Sequence, residues 1–249
     1  MDRVVTDKKF DVNYHEIDYK KRALITSIMN YFEDVSMEQS EKFGVGFEYL
    51  KDKGVAWVLY KWHIKVKRYP IFGEKIVSRT IPLSSRKFYA YRKFEIIDSE
   101  GNVIIEGDSV WLLIDTNKGR PIKVTKDMLD AYKLDEIKKE PFKIPKIKLP
   151  EEFSYRKEFD VRYSDIDTNL HVNNIKYVAW IIETIPLDIV LNYNLYELSI
   201  SYEKEVKYGT RVNIYTELIE ENENNIVWVH KIENEEGKKS AVAKTYWHK

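Results

Sequence analysis

The chain has 249 residues, enough for one large domain or for two domains of about 120 residues each. Its 41 lysine and arginine residues balance 41 aspartate and glutamate residues, which argues against nucleic-acid binding driven by a net basic surface. Because the sequence contains no cysteine, disulfides, thiolate zinc sites, iron–sulfur clusters and a cysteine nucleophile are excluded.

Six of the first twelve residues are charged, and no long apolar run follows them. A membrane-spanning helix needs roughly 20 consecutive apolar residues, and no segment approaches that length. The sequence therefore predicts neither a secretory signal nor a membrane span, and we expect a cytoplasmic protein.

A strand, a helix and several further strands are predicted in the first half of the chain. Residues 23–43 carry apolar side chains at helical spacing, namely Leu24, Ile25, Ile28, Met29, Phe32 and Val35. Downstream, Trp62, Ile64 and Val66 alternate with polar residues, which predicts a half-buried strand. The Asp-Ser-Glu-Gly segment at residues 98–101 is typical of a hairpin turn.

The second half of the chain repeats this pattern after a proline-containing segment. Prolines at 141, 145 and 150 among charged residues predict a stiff, extended connector. A helix is then predicted over residues 172–191, strand alternation over residues 211–218 and a turn at residues 234–237. We therefore predict an N-terminal domain at 1–135, a linker at 136–152 and a C-terminal domain at 153–249.

Sequence matches at constant offsets indicate that the two halves are copies of one unit. Phe10-Asp11-Val12 recurs 149 positions later as Phe159-Asp160-Val161. Gly101 and Trp111 recur 136 positions later as Gly237 and Trp247, so the second copy is 13 residues shorter. One helix followed by antiparallel strands in each copy predicts an α+β fold.

The two copies differ most clearly just before their helices. Asp18 matches Asp167, but Lys20 and Arg22 of the first copy are replaced by Asn169 and His171. In an extended segment residues 167, 169 and 171 would project to one side, where a carboxylate, an amide and an imidazole could act in general-base catalysis. The alternative is that Asp167 or Asn169 only caps the following helix.

Two further segments of the first half are weaker candidates for a functional site. Gly107-Asp108-Ser109-Val110 is similar to a hydrolase serine segment, but it lies within a predicted strand and has no matching partners. The residues Lys61, Lys65, Lys67 and Arg68 form a basic cluster. Such a cluster is usually a solvated face, and a docking patch for an acidic partner is the alternative.

Residues 161–177, which contain Asp167-Thr-Asn169-Leu-His171-Val-Asn-Asn, closely resemble the signature of the acyl-acyl carrier protein (acyl-ACP) thioesterases. The resemblance implies a tandem (double) hotdog fold, with a long helix packed on an antiparallel sheet in each unit. It also implies hydrolysis of fatty acyl-ACP to free fatty acid and holo-ACP, which ends fatty acid synthesis, with ACP as partner and no cofactor or metal. A monomer and a homodimer both fit a tandem hotdog.

The same resemblance assigns catalytic roles to Asp167, Asn169, His171 and Glu205, and the acyl-chain pocket to the N-terminal unit. Plant members carry a cysteine directly after the glutamate, where this chain has Val206, so a thiol mechanism is impossible here. An acyl-CoA thioesterase of the same fold and a non-catalytic acyl-binding hotdog protein are the alternatives. The pattern indicates no acyl-chain length.

Overall fold

The computed structural model describes residues 3–137 and 139–249, and the chain divides into two compact units, Met1–Ile144 and Pro145–Lys249. This boundary falls within the range predicted as a linker, 136–152. The start of that range runs along the first unit, where Glu136 bridges to Ser85 and the Phe142 ring meets the Tyr91 ring edge to face.

The first unit is an antiparallel sheet with helices. Its described strands are β1 (Thr6–Asp11), β2 (Val55–Val66), β3 (Lys75–Arg86), β4 (Tyr89–Ile97), β5 (Val103–Asp115) and β6 (Arg120–Pro121). Its helices are α1 (Ile25–Lys42), α2 (Phe47–Lys53) and α3 (Lys126–Ala131). The strand order is β1-β3-β4-β5-β2, and the short β6 pairs with β5.

The second unit repeats this arrangement. Its described strands are β7 (Tyr155–Asp160), β8 (Asn194–Tyr202), β9 (Arg211–Glu221), β10 (Asn225–Asn234) and β11 (Lys239–His248). Its helices are α4 (Asn174–Thr184) and α5 (Leu187–Asn192). The strand order β7-β9-β10-β11-β8 matches that of the first unit strand for strand, which confirms the predicted α+β class.

Helix α1 buries its apolar stripe against the sheet of the first unit. Phe32 is fully buried, and its ring lies 5.0 Å from that of Phe94 and 5.6 Å from that of Trp62. A Cβ atom at Gly107 would lie 3.0 Å from Phe32 and Trp62, so this glycine permits the close approach of helix and sheet. Ser109 nearby is also buried and accepts a hydrogen bond from the Trp111 indole, which gives this segment a structural role.

The prediction of one helix over residues 172–191 is wrong. The helix ends at Thr184, and a second short helix begins at Leu187 after Pro186. Proline has no N–H for the helical ladder and its ring clashes with the preceding turn, so it ends α4.

The predicted hairpin turns are confirmed in both units. Gly101 and Gly237 adopt positive φ angles of 90° and 70°, which glycine tolerates without a steric penalty. The side chains of Asp98 and Asn234 each accept two backbone N–H groups across their turn. The same turn chemistry in both copies agrees with the duplication seen in the sequence.

Candidate active site

Asp167 and His171 are the first and last residues of a tight turn, not of the extended segment that we predicted. The Leu170 N–H donates to the Asp167 carbonyl at 3.1 Å, and the Asp167 N–H donates to the His171 carbonyl at 2.8 Å. Leu170 has a φ of 62°, which reverses the chain direction. The prediction that residues 167, 169 and 171 project to one side of an extended segment is therefore wrong.

The Asp167 carboxylate shapes this turn. Its Oδ1 accepts the Asn169 N–H at 2.8 Å and the His171 N–H at 3.4 Å. The cap of helix α4 is a different residue, Asn173, whose side chain accepts the Ile175 N–H at 2.8 Å. The alternative in which Asp167 or Asn169 caps the helix is thus excluded.

His171 is paired with Glu205, which lies on the connection between β8 and β9. The imidazole Nε2 is 3.2 Å from the Glu205 Oε1, and the two side chains are 30% and 59% exposed. Their backbones are held together because the Val172 N–H donates to the Val206 carbonyl at 2.8 Å. The structure therefore brings together two of the predicted residues that are 34 positions apart in sequence.

Asn169 occupies the exposed tip of the turn. Among residues 3–137 and 139–249, no side chain forms a hydrogen bond with its carboxamide. The structure thus groups Asp167, His171 and Glu205 and leaves the Asn169 amide facing solvent.

A buried carboxylate that sequence analysis missed supports this turn. Asp165 is fully buried and bonded to Arg162, and its carbonyl accepts the Asn173 N–H at 2.8 Å. Burial alone would raise the pKa of Asp165, but the hydrogen bonds from Arg162 hold it below its ordinary value. The sequence already held a sign of this role. Asn13 and Glu16 of the first copy have the same three-residue spacing as Arg162 and Asp165, and both pairs form a capping box around a short helical turn.

The chemistry of the pair is that of a general base. A neutral imidazole with a carboxylate at hydrogen-bond distance can take a proton from water and hold the resulting positive charge. Both groups are partly open to solvent, so a substrate and a water molecule can reach them. Within the described part of the chain, His, Asp and Glu side chains form no group of three or more that could hold a metal ion.

Two of the four members of the basic cluster on the first unit, Lys67 and Arg68, are paired with carboxylates. Lys67 lies 3.1 Å from Glu106, and Arg68 pairs with both Glu74 and Asp98. Such pairing favours the solvated face over the docking patch.

In the described residues, no helix is long and apolar enough to cross a membrane.

Comparison with known proteins identifies the family. Residues 3–132 match the acyl-ACP thioesterase N-terminal domain, and residues 148–249 match the C-terminal domain. The chain is 26% identical over 259 residues to the chloroplastic acyl-[acyl-carrier-protein] hydrolase FATB3 of Cuphea viscosissima. That alignment covers 99% of the chain and 63% of the relative, and a palmitoyl-acyl carrier protein thioesterase of Cuphea hookeriana is covered over 52%.

Solved structures agree with this assignment. A crystal structure from Lactobacillus plantarum, provisionally named an oleoyl thioesterase, superposes with a TM-score of 0.94 at 26% identity, covering 99% of this chain and 96% of that one. The 12:0-ACP thioesterase of Umbellularia californica has a TM-score of 0.87 at 23% identity, with 98% and 94% covered, and shares the fold. The fold is the tandem hotdog that the resemblance implied. The chain belongs to the acyl-ACP thioesterase family.

Proposed function

We propose that this protein hydrolyses the thioester of fatty acyl-ACP and releases free fatty acid and holo-ACP. The observation that carries the proposal is the 3.2 Å pair of His171 and Glu205 in the unit that matches the family's C-terminal domain. An imidazole–carboxylate pair supplies the general base that thioester hydrolysis requires. The curated relatives, which the chain spans over about half to two thirds of their length, are named as hydrolases of acyl-ACP.

In the proposed mechanism His171 takes a proton from a water molecule as the water oxygen attacks the thioester carbonyl. Glu205 stabilises the imidazolium, which then returns the proton to the departing pantetheine thiolate. Asp167 shapes the turn through its Oδ1, which accepts two N–H groups, and we propose water and not the Asp167 carboxylate as the attacking group. Asn169 is assigned to fixing the geometry of this arrangement, and within the described residues no side chain bonds to its amide.

The developing oxyanion needs hydrogen-bond donors, and we assign this role to the free backbone N–H groups at the start of α4. The Ile175 N–H is taken by the Asn173 side chain, and the Lys176 N–H donates to the Asn173 carbonyl. The Asn174 N–H is therefore the donor that we assign to the oxyanion.

The partner that presents the substrate is ACP, and the acyl chain is assigned to the N-terminal unit on the family resemblance. In that unit Trp57 packs against the core residues Val55 and Leu113, whereas Phe47 is 52% exposed. Phe47 is thus the more accessible of the two aromatic residues that could meet an acyl chain. A cytoplasmic location stays a prediction. A monomer and a homodimer both fit the proposed function.

The test is fatty acid release from a panel of acyl-ACPs by wild type, His171→Ala and His15→Ala. We expect the first variant to lose about 10²- to 10⁴-fold in rate, the range for loss of a general base. His15→Ala, an exposed histidine of the first unit, should match wild type. Turnover of acyl-CoA but not acyl-ACP would contradict the carrier, and tight acyl binding without any turnover would contradict the activity.

A further inference from the structure

Two buried tyrosines lie next to the segments that carry His171 and Glu205. Tyr177 is on α4 and is 2% exposed, and Tyr202 is the last residue of β8 and is 9% exposed. Their rings meet edge to face with centroids 5.5 Å apart. Helix α4 begins three residues after His171, and Glu205 follows Tyr202 by three residues. The ring contact therefore joins the segment that follows His171 to the segment that precedes Glu205.

One hydroxyl of this pair bonds to the backbone at the start of α4. The Tyr202 hydroxyl donates to the Asn174 carbonyl at 2.9 Å, which ties the end of β8 to the first residue of α4. This bond therefore joins the strand end that leads to Glu205 with the helix start that follows His171.

The first unit has no such hydroxyl at the matching position. The residue that matches Tyr202 is Val66, whose aliphatic side chain has no hydroxyl, and Tyr177 is matched by Ile28. The backbones nevertheless pair identically, since the Ala23 N–H donates to the Pro70 carbonyl at 2.8 Å, as the Val172 N–H does to Val206. The fold therefore does not require the Tyr202 hydroxyl, which occurs in the unit that carries the His–Glu pair.

We propose that Tyr202 is a positioning residue, whose hydroxyl holds the start of α4 on the end of β8 and so sets the separation that keeps Glu205 on His171. The Glu205 side chain is 59% exposed, so its direction depends on the backbone that bears it. Neither tyrosine needs to touch the reacting atoms. The inference deepens the proposed function and rests on it wherever turnover is measured.

The first test compares Tyr202→Phe with wild type in kcat and KM for acyl-ACP. Loss of alignment should lower kcat roughly 10- to 100-fold while KM changes less than about threefold, because binding groups are untouched. The matched control is Tyr132→Phe in the first unit, a tyrosine that is 4% exposed and bonded to Ser40 at 2.7 Å. Equal kcat losses in both variants would make the hydroxyl merely structural and overturn the inference.

A double-mutant cycle shows whether Tyr202 acts through Glu205. In a Glu205→Gln background, removing the Tyr202 hydroxyl should change kcat less than about twofold, because the group that it aligns no longer works as a base partner. Losses that multiply in the double variant would mean that the tyrosine acts by another route, and the inference would fail.

A readout without turnover separates this inference from the proposed function. The NMR signals of the His171 ring, assigned with His171→Ala, should move in Tyr202→Phe in the same direction as in Glu205→Gln and stay in place in Tyr132→Phe. If wild type hydrolyses no acyl thioester but these signals move as stated, the activity is wrong and the positioning holds. If they do not move in Tyr202→Phe, the positioning fails whatever the activity.

Discussion

The turn that carries His171 has a backbone twin in the first unit. The Asp18 N–H donates to the Arg22 carbonyl at 2.7 Å, as the Asp167 N–H does to the His171 carbonyl at 2.8 Å. The fourth residue of each turn has a positive φ, which is 60° at Lys21 and 62° at Leu170. Two copies whose side chains have diverged thus keep one turn, because an aspartate at the first position accepts backbone N–H groups in both.

The last side chains of the two turns have different partners. In the first unit the Arg22 guanidinium closes on Asp18 at 2.9 Å and lies 5.6 Å over the Tyr69 ring, so its charge is compensated within the turn. In the second unit His171 turns to Glu205, which occupies the position of Tyr69. The comparison separates what the hotdog turn needs, an aspartate, from what the chemistry needs, an imidazole with a carboxylate.

The sharpest way to break this comparison is to give the second turn the side chain of the first. His171→Arg should fold normally, since Arg22 already fits this backbone, and should lose at least about 10²-fold in fatty acid release because a guanidinium cannot accept a proton. Rates on acyl-ACP and the thermal midpoint measure the two effects separately. Arg22→Ala is the control, with turnover expected within about threefold of wild type.

Either of two results would undo the argument. A His171→Arg protein that retains its rate would remove His171 from the chemistry. A loss of chemistry in Arg22→Ala as large as in His171→Arg, at an unchanged thermal midpoint, would show that the first turn is not a purely structural twin.

The elements were predictable where local pattern decides them, and the difference between the two copies pointed to Asp167, Asn169 and His171, but the geometry of the site was not predictable. Apolar spacing marked α1, and alternation marked β2, because a helix and a half-buried strand each show one face to the core. The turn at Asp167 was missed because Leu170 takes a left-handed conformation that its residue type does not announce. Glu205 was placed only by family resemblance, since no spacing within one sequence links it to a histidine 34 residues earlier.

A second difference between the units lies in their cores. Phe94 packs among aromatic rings in the first unit, and its counterpart in the second is His230, which is fully buried between the Thr216 and Thr245 hydroxyls. Burial lowers the pKa of His230 to about 3. The neutral ring is therefore the form that the folded protein stabilises.

This difference predicts acid sensitivity of the second unit. Below the unfolded pKa of about 6.5 the unfolded chain binds a proton that folded His230 does not, so its contribution is full above that pH and falls as the pH drops toward 3. Between pH 7 and pH 5 the loss should be on the order of 2 kcal/mol. Urea unfolding across this range measures it.

His230→Phe, which restores the residue of the first unit, should flatten that dependence. The two threonines keep partners in the variant, because Thr216 also bonds to Thr184 and Thr245 accepts the Trp247 indole N–H. If the variant loses as much unfolding free energy as wild type between pH 7 and pH 5, His230 does not titrate as described.

The smallest expected effect concerns the starts of the two long helices. Asn173 caps α4 with φ −59° and ψ 135°, and Leu24 holds the same place before α1 with φ −63° and ψ 149° but offers no side-chain acceptor. Leu24 is 41% exposed, so little apolar burial is lost on replacing it. Leu24→Asn should therefore stabilise the protein by about 0.5–1 kcal/mol, the usual value of a polar cap.

The control for this prediction is Leu24→Ala, which removes the same side chain without adding an acceptor. The difference in unfolding free energy between the two variants isolates the cap, since both start from the same backbone and lose the same contacts. If asparagine is no better than alanine at position 24, the first helix start is not free to accept the cap that the second one uses. The two units would then differ in the geometry of their helix starts as well as in the side chains that these present.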